Sequence, residues 1–276
     1  MFRIRFYGRS DVGRKRLSNE DSYSTSDDER YGIVCDGMGG HQGGEIASRL
    51  AVDILTDSLS KGGQLLARRS GGKLAHLRAL AKDMVLEWTQ RANDEIFQKG
   101  GENTPLRTRM GTTLAFILLV EDFVVVTHVG DSRIHRIRNG VIERLTEDHS
   151  IMGPSRSPRT WGTAPKRRKF VTKALGTRST VEPDIRLEDA VHGDIYILCS
   201  DGLSDAVQPE EMVTLLEKAG EDRRTALRSL IHLANKRGGR DNITVVLAEV
   251  IEESAFRRDN DGGDASTEEI AVPGES

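Results

Sequence analysis

Cysteine and long apolar runs are both scarce in this chain, and each shortage removes a class of function. Cys35 and Cys199 are the only cysteines in 276 residues, which excludes a disulfide-stapled framework or a cysteine-rich zinc module. Both sit inside apolar strand-like runs, where an unpaired cysteine behaves as a small hydrophobe. Cysteine-phosphatase chemistry needs an arginine closing a five-residue loop, and six positions on stand His41 and Asp205. No apolar run approaches the roughly 18 residues of a spanning helix, and Met1 to Phe6 has no signal-peptide core. The expectation is a cytoplasmic protein with no membrane partner. An excess of one charge is missing too: 40 Lys and Arg against 43 Asp and Glu leave a net −3. No global field recommends nucleic acid or an anionic surface.

What is present is an ordinary soluble composition, 37% hydrophobic and 30% charged, with periodicities that resolve into elements. Residues 2–8 alternate apolar and basic, as a half-buried strand does, and Tyr31 to Cys35 is an apolar strand. Ile46, Ala47, Leu50, Ala51, Ile54, Leu55 and Leu59 fall on one helical face. Leu77, Leu80, Ala81, Met84, Val85, Trp88, Ala92 and Ile96 mark a second helix over about 74–98, with a link at 61–73 between the two. Four strands follow, over 112–120, 123–129, 132–138 and 141–145, the last pair joined by Asn139-Gly140, a strong hairpin signal. They read as an antiparallel meander. A strand at 194–199, helices at 209–219 and 223–236, and a strand at 243–250 complete the pattern. Helix pairs separated by hairpin-linked strands predict helices outside and antiparallel sheets within, an α+β layered fold.

The chemistry centres on Asp36-Gly37-Met38-Gly39-Gly40-His41-Gln42-Gly43-Gly44, a glycine-rich turn after a buried strand. Glycine at that density lets backbone lie against a ligand. Asp131, Asp201 and Asp241 also sit at strand ends, and Asp36 and Asp201 are each followed by glycine. A lone Asp-Gly is more often a turn than a ligand. Carboxylates gathered together repel unless cations neutralise them. Oxygen donors without a Cys/His cluster suit Mg²⁺ or Mn²⁺ rather than Zn²⁺. Two such ions about 4 Å apart suit in-line phosphoryl displacement by an activated water.

Seven motifs in order, from Ser10 to about Val250, resemble the metal-dependent protein phosphatases of type 2C. They are Ser10 to Asp21, Asp36 to His41, Met110-Gly111-Thr112-Thr113, Val129 to Arg133, Thr172 to Gly176, Ser200 to Asp205, and Arg240 to Thr244. The resemblance implies a four-layer α-β-β-α sandwich, two central antiparallel sheets flanked by helix pairs, over residues 1–251. It implies hydrolysis of phosphoserine and phosphothreonine at a binuclear Mn²⁺ or Mg²⁺ centre. Asp36 would bridge both ions, Gly37 would offer its carbonyl, Asp201 and Asp241 would complete one shell, and Glu20 would reach the other ion through water. Asp131 and Asp205 match positions of a weaker third metal, although Asp131 also reads as a turn cap. Arg16 would grip the substrate phosphate with its planar fork, and Thr113 would orient carboxylates rather than react. Implied partners are phosphorylated proteins supplied by a cognate Ser/Thr kinase, with the phosphatase itself a monomer.

Two departures from the family pattern stand out, the first from its eukaryotic members and the second from its bacterial ones. Met38 occupies the place of a histidine often assigned as proton donor, which leaves a metal-held water or His41 to protonate the leaving group. The segment 151–170 is proline-broken and basic, carrying Arg156, Arg159, Lys166, Arg167, Arg168 and Lys169, and reads as an exposed excursion, either a solvated loop or a surface that recruits acidic or multiply phosphorylated substrates by charge. Residues 252–276 are acidic and poor in large apolar residues, as a disordered tail is. Two other readings compete. A catalytically silent phosphoprotein-binding module would show a lost metal ligand, and none is lost; a nucleic-acid-directed phosphoesterase rests only on the basic excursion.

Overall fold

The computed structural model describes residues 1–26, 30–39, 42–68, 74–102, 110–154 and 167–253. The chain begins with β1 (Phe2–Asp11), β2 (Asp21–Thr25) and β3 (Tyr31–Met38), followed by α1 (Gly43–Arg68) and α2 (Leu74–Glu102). Next come β4 (Gly111–Thr112), β5 (Leu114–Val120), β6 (Phe123–Val129), β7 (Arg133–Arg138) and β8 (Val141–Arg144). After them are β9 (Ser150–Pro154), β10 (Arg167–Val171), β11 (Asp184–Asp189) and β12 (Ile195–Cys199). Three helices, α3 (Asp201–Ser204), α4 (Pro209–Ala219) and α5 (Arg223–Lys236), precede the last strand, β13 (Ile243–Glu252).

The strands form two antiparallel sheets, one ordered β1-β13-β12-β7-β8 and the other β11-β6-β5-β3-β2. Strand alternation explains why they stack. On β5, Leu114, Phe116, Leu118 and Val120 face a core shared with α1 and α2, while Ala115, Ile117 and Leu119 face the opposite sheet. β12 repeats the device: Ile195, Ile197 and Cys199 meet α4 and α5, whereas Tyr196 and Leu198 enter the core between the sheets. A strand buried on both faces loses the polar half of its pattern and reads as a continuous apolar run, as Leu-Ala-Phe-Ile-Leu-Leu-Val does. The result is the expected α-β-β-α sandwich. Cys35 and Cys199 are unpaired and buried in the two helix-facing cores.

Several boundaries differ from the sequence reading. The predicted link at 61–73 is helical as far as Arg68. Gly62 is a contact rather than a breaker, since a Cβ there would stand 2.4 Å from Trp88 Cζ2. The strands 112–145 are not one meander: β5 and β6 pair in one sheet, β7 and β8 in the other, and the chain crosses between them at Gly130-Asp131-Ser132. Asn139 and Gly140, both at positive φ, turn β7 into β8 as their identities predict. β2 and β11 went unread because both are polar edge strands. On β11 only Ile185 and Leu187 reach the core. The excursion at 151–170 is not wholly a loop, because β9 and β10 pair as a two-stranded ribbon, Val171 opposite Ser150 and Arg167 opposite Pro154. The tail from 254 on lies outside the described residues, as do Arg156, Arg159 and Lys166.

Helix ends are fixed locally. Gln208 and Glu211 form a reciprocal capping box over Pro209 at the start of α4, and Asp222 accepts from the Thr225 N–H to start α5. Phe116 is fully buried under α1 and α2. Phe116→Ala should therefore cost about 3–5 kcal/mol in chemical denaturation, and a loss below about 1 kcal/mol would contradict this packing.

Candidate metal centre

All the strand ends that carry the predicted acids lie along one edge of the sandwich. Asp36, near the end of β3, is the register partner of Asp21 at the start of β2. Asp201 opens α3 two residues after β12, and Asp241 stands two residues before β13, the antiparallel neighbour of β12. Asp131 is in the crossing between β6 and β7. Five carboxylates from five points of the chain thus share one small region, and Asp21 is the member that the sequence reading left out of its ligand set.

Burial and mutual repulsion set their protonation. Asp36 is pushed well above the ordinary carboxylate range, first by burial and then by Asp21, Asp201, Asp241 and Asp131. Burial likewise raises Asp201 to about 7, with Asp131, Asp205 and Asp241 adding to it. Asp21 rises to about 6, burial again leading. Its Oδ2 accepts a 2.8 Å hydrogen bond from Ser200 Oγ, while its Oδ1 is buried without a hydrogen-bond partner among the described residues. Glu20 is raised by burial against the opposing pull of Arg16. An all-oxygen set that holds protons against its own repulsion, with one orphaned buried oxygen, fits divalent cations of the Mg²⁺ or Mn²⁺ kind.

The backbone around these acids is pinned from several directions. Thr113 Oγ1 accepts from the Asp36 N–H at 2.9 Å and meets Ser132 Oγ at 2.6 Å; Thr112 Oγ1 donates to the Asp36 carbonyl. Thr113 thus fixes the main chain of Asp36 and touches no carboxylate through these bonds. Asn242 is a residue the sequence reading did not single out. Its Oδ1 accepts from the Glu20 N–H, and its Nδ2 donates to the carbonyls of Val12 and Ser18, so one amide holds the whole loop bearing Arg16 and Glu20. Gly37 and Gly202 are required by close approach. A Cβ on Gly37 would lie 2.1 Å from the Gly44 carbonyl oxygen, and one on Gly202 would lie 2.0 Å from that of Asn242. Arg16 donates to Asp241 Oδ2 at 2.7 Å and feels Glu20 and Asp36, so its guanidinium sits at the rim of the acidic cluster while half exposed.

Asp131 and Asp205 are brought together less simply. The Lys169 ammonium of β10 lies 2.8 Å from Asp131 Oδ2, 3.4 Å from Asp148 Oδ2 and 3.9 Å from Asp205 Oδ1. This corrects the reading of Lys169 as a solvated recruiter of substrate, because its charge is turned inward. Met38 ends β3 opposite Gly111 and has no proton to give; His41 lies outside the described residues. Among the described residues the trio of His, Cys, Asp or Glu ligand atoms within 4.8 Å of one another is His128, His149 and Asp184. Its chemistry favours orientation over ligation. His149 Nδ1 accepts from the Gly130 N–H, so Nε2 carries the proton and faces Asp184 Oδ2 at 3.2 Å. That chain steadies Gly130, next to Asp131.

A four-layer sandwich with an oxygen-only acidic cluster on one edge defines a class, the divalent-metal phosphoesterases. The chain belongs to the protein phosphatase 2C family, whose model matches residues 8–247. It is 32% identical over 247 residues to a putative protein phosphatase 2C-type of Streptococcus pyogenes, covering 87% of this chain and 94% of that protein. It is 35% identical over 255 residues to the serine/threonine protein phosphatase PstP of Mycobacterium tuberculosis, covering 90% of this chain and 45% of PstP. The solved catalytic domain of PstP, in complex with two manganese ions, superposes with a TM-score of 0.72 at 30% identity, covering 91% of this chain and all of that one. The S. agalactiae serine/threonine phosphatase gives 0.70 at 30% identity, covering 90% of this chain and 100% of that one.

The raised carboxylates carry a pH signature. Their native pKa values exceed the ordinary 3.8, so the metal-free native state binds more protons than the unfolded chain between about pH 4 and 7. The stability they contribute is present at low pH and is lost as pH rises through that window. A divalent ion must displace the same protons. Mn²⁺ affinity should accordingly climb from about pH 6 to 8, with proton release visible as a buffer-dependent calorimetric enthalpy. Affinity flat across that range would contradict the protonated cluster.

Proposed function

We propose that this protein is a serine/threonine protein phosphatase that hydrolyses phosphoserine and phosphothreonine at a binuclear Mn²⁺ or Mg²⁺ centre. The observation that carries the reading is Asp36, buried and surrounded by Asp21, Asp201, Asp241 and Asp131. Asp36 would bridge the two ions, Gly37 would lend its carbonyl, Asp201 and Asp241 would serve one ion, and Glu20 would serve the other through water. When bound, the ions supply an activated water and neutralise the negative charge that builds on the phosphoryl group. The two-manganese complex of the PstP catalytic domain supports this stoichiometry.

The chain's own residues supply the rest. Arg16, half exposed at the rim and always charged, would exchange its bond to Asp241 for two oxygens of the substrate phosphate once cations hold the acids. Asn242 keeps Arg16 and Glu20 in one loop, so substrate grip and metal holding are set by the same amide. Met38 leaves the proton for the departing alkoxide to water at the centre or to His41. The substrates are phosphoproteins made by a Ser/Thr kinase. The silent-module reading loses ground because every acidic position remains filled.

Purified protein with Mn²⁺ should dephosphorylate a phosphothreonine peptide, and chelation should abolish this. Asp36→Asn should lower kcat by about a thousandfold or more; activity that survives it would refute the site. Arg16→Ala should raise KM for the phosphopeptide by about tenfold or more while calorimetric Mn²⁺ affinity stays within about twofold, since the guanidinium grips phosphate rather than metal.

A further inference from the structure

The ribbon of β9 and β10 belongs to neither main sheet, yet it is tied to the acidic edge at its base. The His149 N–H donates to the Gly130 carbonyl at 2.7 Å, and the Thr172 N–H donates to the His149 carbonyl at 2.8 Å. That anchoring places Lys169, paired across the ribbon with Met152, directly over the crossing that carries Asp131. Asp131 is 3% exposed at its side chain and Lys169 23%, so the ammonium has been brought out of bulk water to reach a nearly buried carboxylate. Such a move is favourable only when the pair is well matched.

The surroundings show which acid Lys169 serves. Asp148 already receives a bidentate pair from Arg133, Nε at 2.9 Å and Nη2 at 2.8 Å, with Arg144 at 3.6 Å. Among the described residues, Lys169 is the cation that pairs with Asp131. Asp205 Oδ1 lies 3.9 Å from the same ammonium. We propose that Lys169 is a tethered cation that fills the place between Asp131 and Asp205, where the family resemblance implied a weaker third metal, so that this phosphatase works without a divalent ion there. A single positive charge with three hydrogens meets the same two carboxylates that an ion would bridge, and both cannot occupy one gap. The role is positional: Lys169 balances Asp131 and so limits the repulsion that Asp131 exerts on Asp201 and Asp36.

The proposal rests on the metal-centre reading, and Mn²⁺ counting separates the two. Manganese bound per chain is measured by electron paramagnetic resonance titration on wild type, Lys169→Met, Lys169→Arg and the double variant Lys169→Met/Asp131→Asn. Lys169→Met should bind one ion more than wild type, or bind its last ion at least about tenfold more tightly, because it leaves a buried carboxylate uncompensated. Lys169→Arg should match wild type, and the double variant should lose the extra ion, which keeps the test valid if one variant folds poorly. Equal stoichiometry and affinity in wild type and Lys169→Met would overturn the proposal while leaving the binuclear centre standing. Absence of Mn²⁺ binding by wild type would overturn both.

Discussion

Mutual repulsion among carboxylates gathered at one edge of two packed sheets is the constraint that orders the rest of this molecule. Isolated, each of these acids would ionise near pH 4 and turn toward water. Held at the ends of strands whose other residues are buried, they have no such freedom. The fold must therefore fix their backbone and supply positive charge. Thr112 and Thr113 clasp Asp36, Ser200 reaches Asp21, and Asn242 binds the loop of Glu20. Arg16 and Lys169 bring cations from distant parts of the chain.

Much of the fold was legible because burial on two faces and burial on one leave different traces. The fully buried β5 and β6, the amphipathic α4 and α5, and the Asn139-Gly140 turn each announce themselves. What stayed hidden was tertiary in origin. Nothing local says that β6 and β7 belong to different sheets, since hairpin and crossing look alike until Gly130, at φ 107, carries the chain across. The polar edge strands β2 and β11 give weak periodicity. Gly62 reads as a breaker, and it is in fact the site where two helices touch.

The candidate centre was legible in the same uneven way. Acids that follow apolar runs could be picked out one by one, because a rigid strand end is where a carboxylate is worth holding. Asp21 was masked by its polar strand, and only its register opposite Asp36 reveals that it shares the cluster. Asn242 acts through hydrogen bonds to residues 222 or more positions away, a distance that no spacing rule spans. Lys169 sat within a run of basic residues whose composition suggests solvent, while the ribbon pairing sends this one inward.

The crossing at Gly130 to Ser132 has a consequence for how the protein acquires its chemistry. One sheet joins the two ends of the described chain, β1 zipped to β13 over ten residue pairs from Phe2 and Glu252 to Asp11 and Ile243, whereas the other is built from strands between Asp21 and Asp189. Asp36 belongs to one sheet, Asp201 and Asp241 flank strands of the other, and Asp131 lies between. No partly folded chain that has made only one sheet holds more than a fragment of the set. Affinity for divalent ions is therefore a property of the finished sandwich alone, and a bound ion acts as a rivet, adding its binding energy to the docking of the two sheets and none to the steps before it.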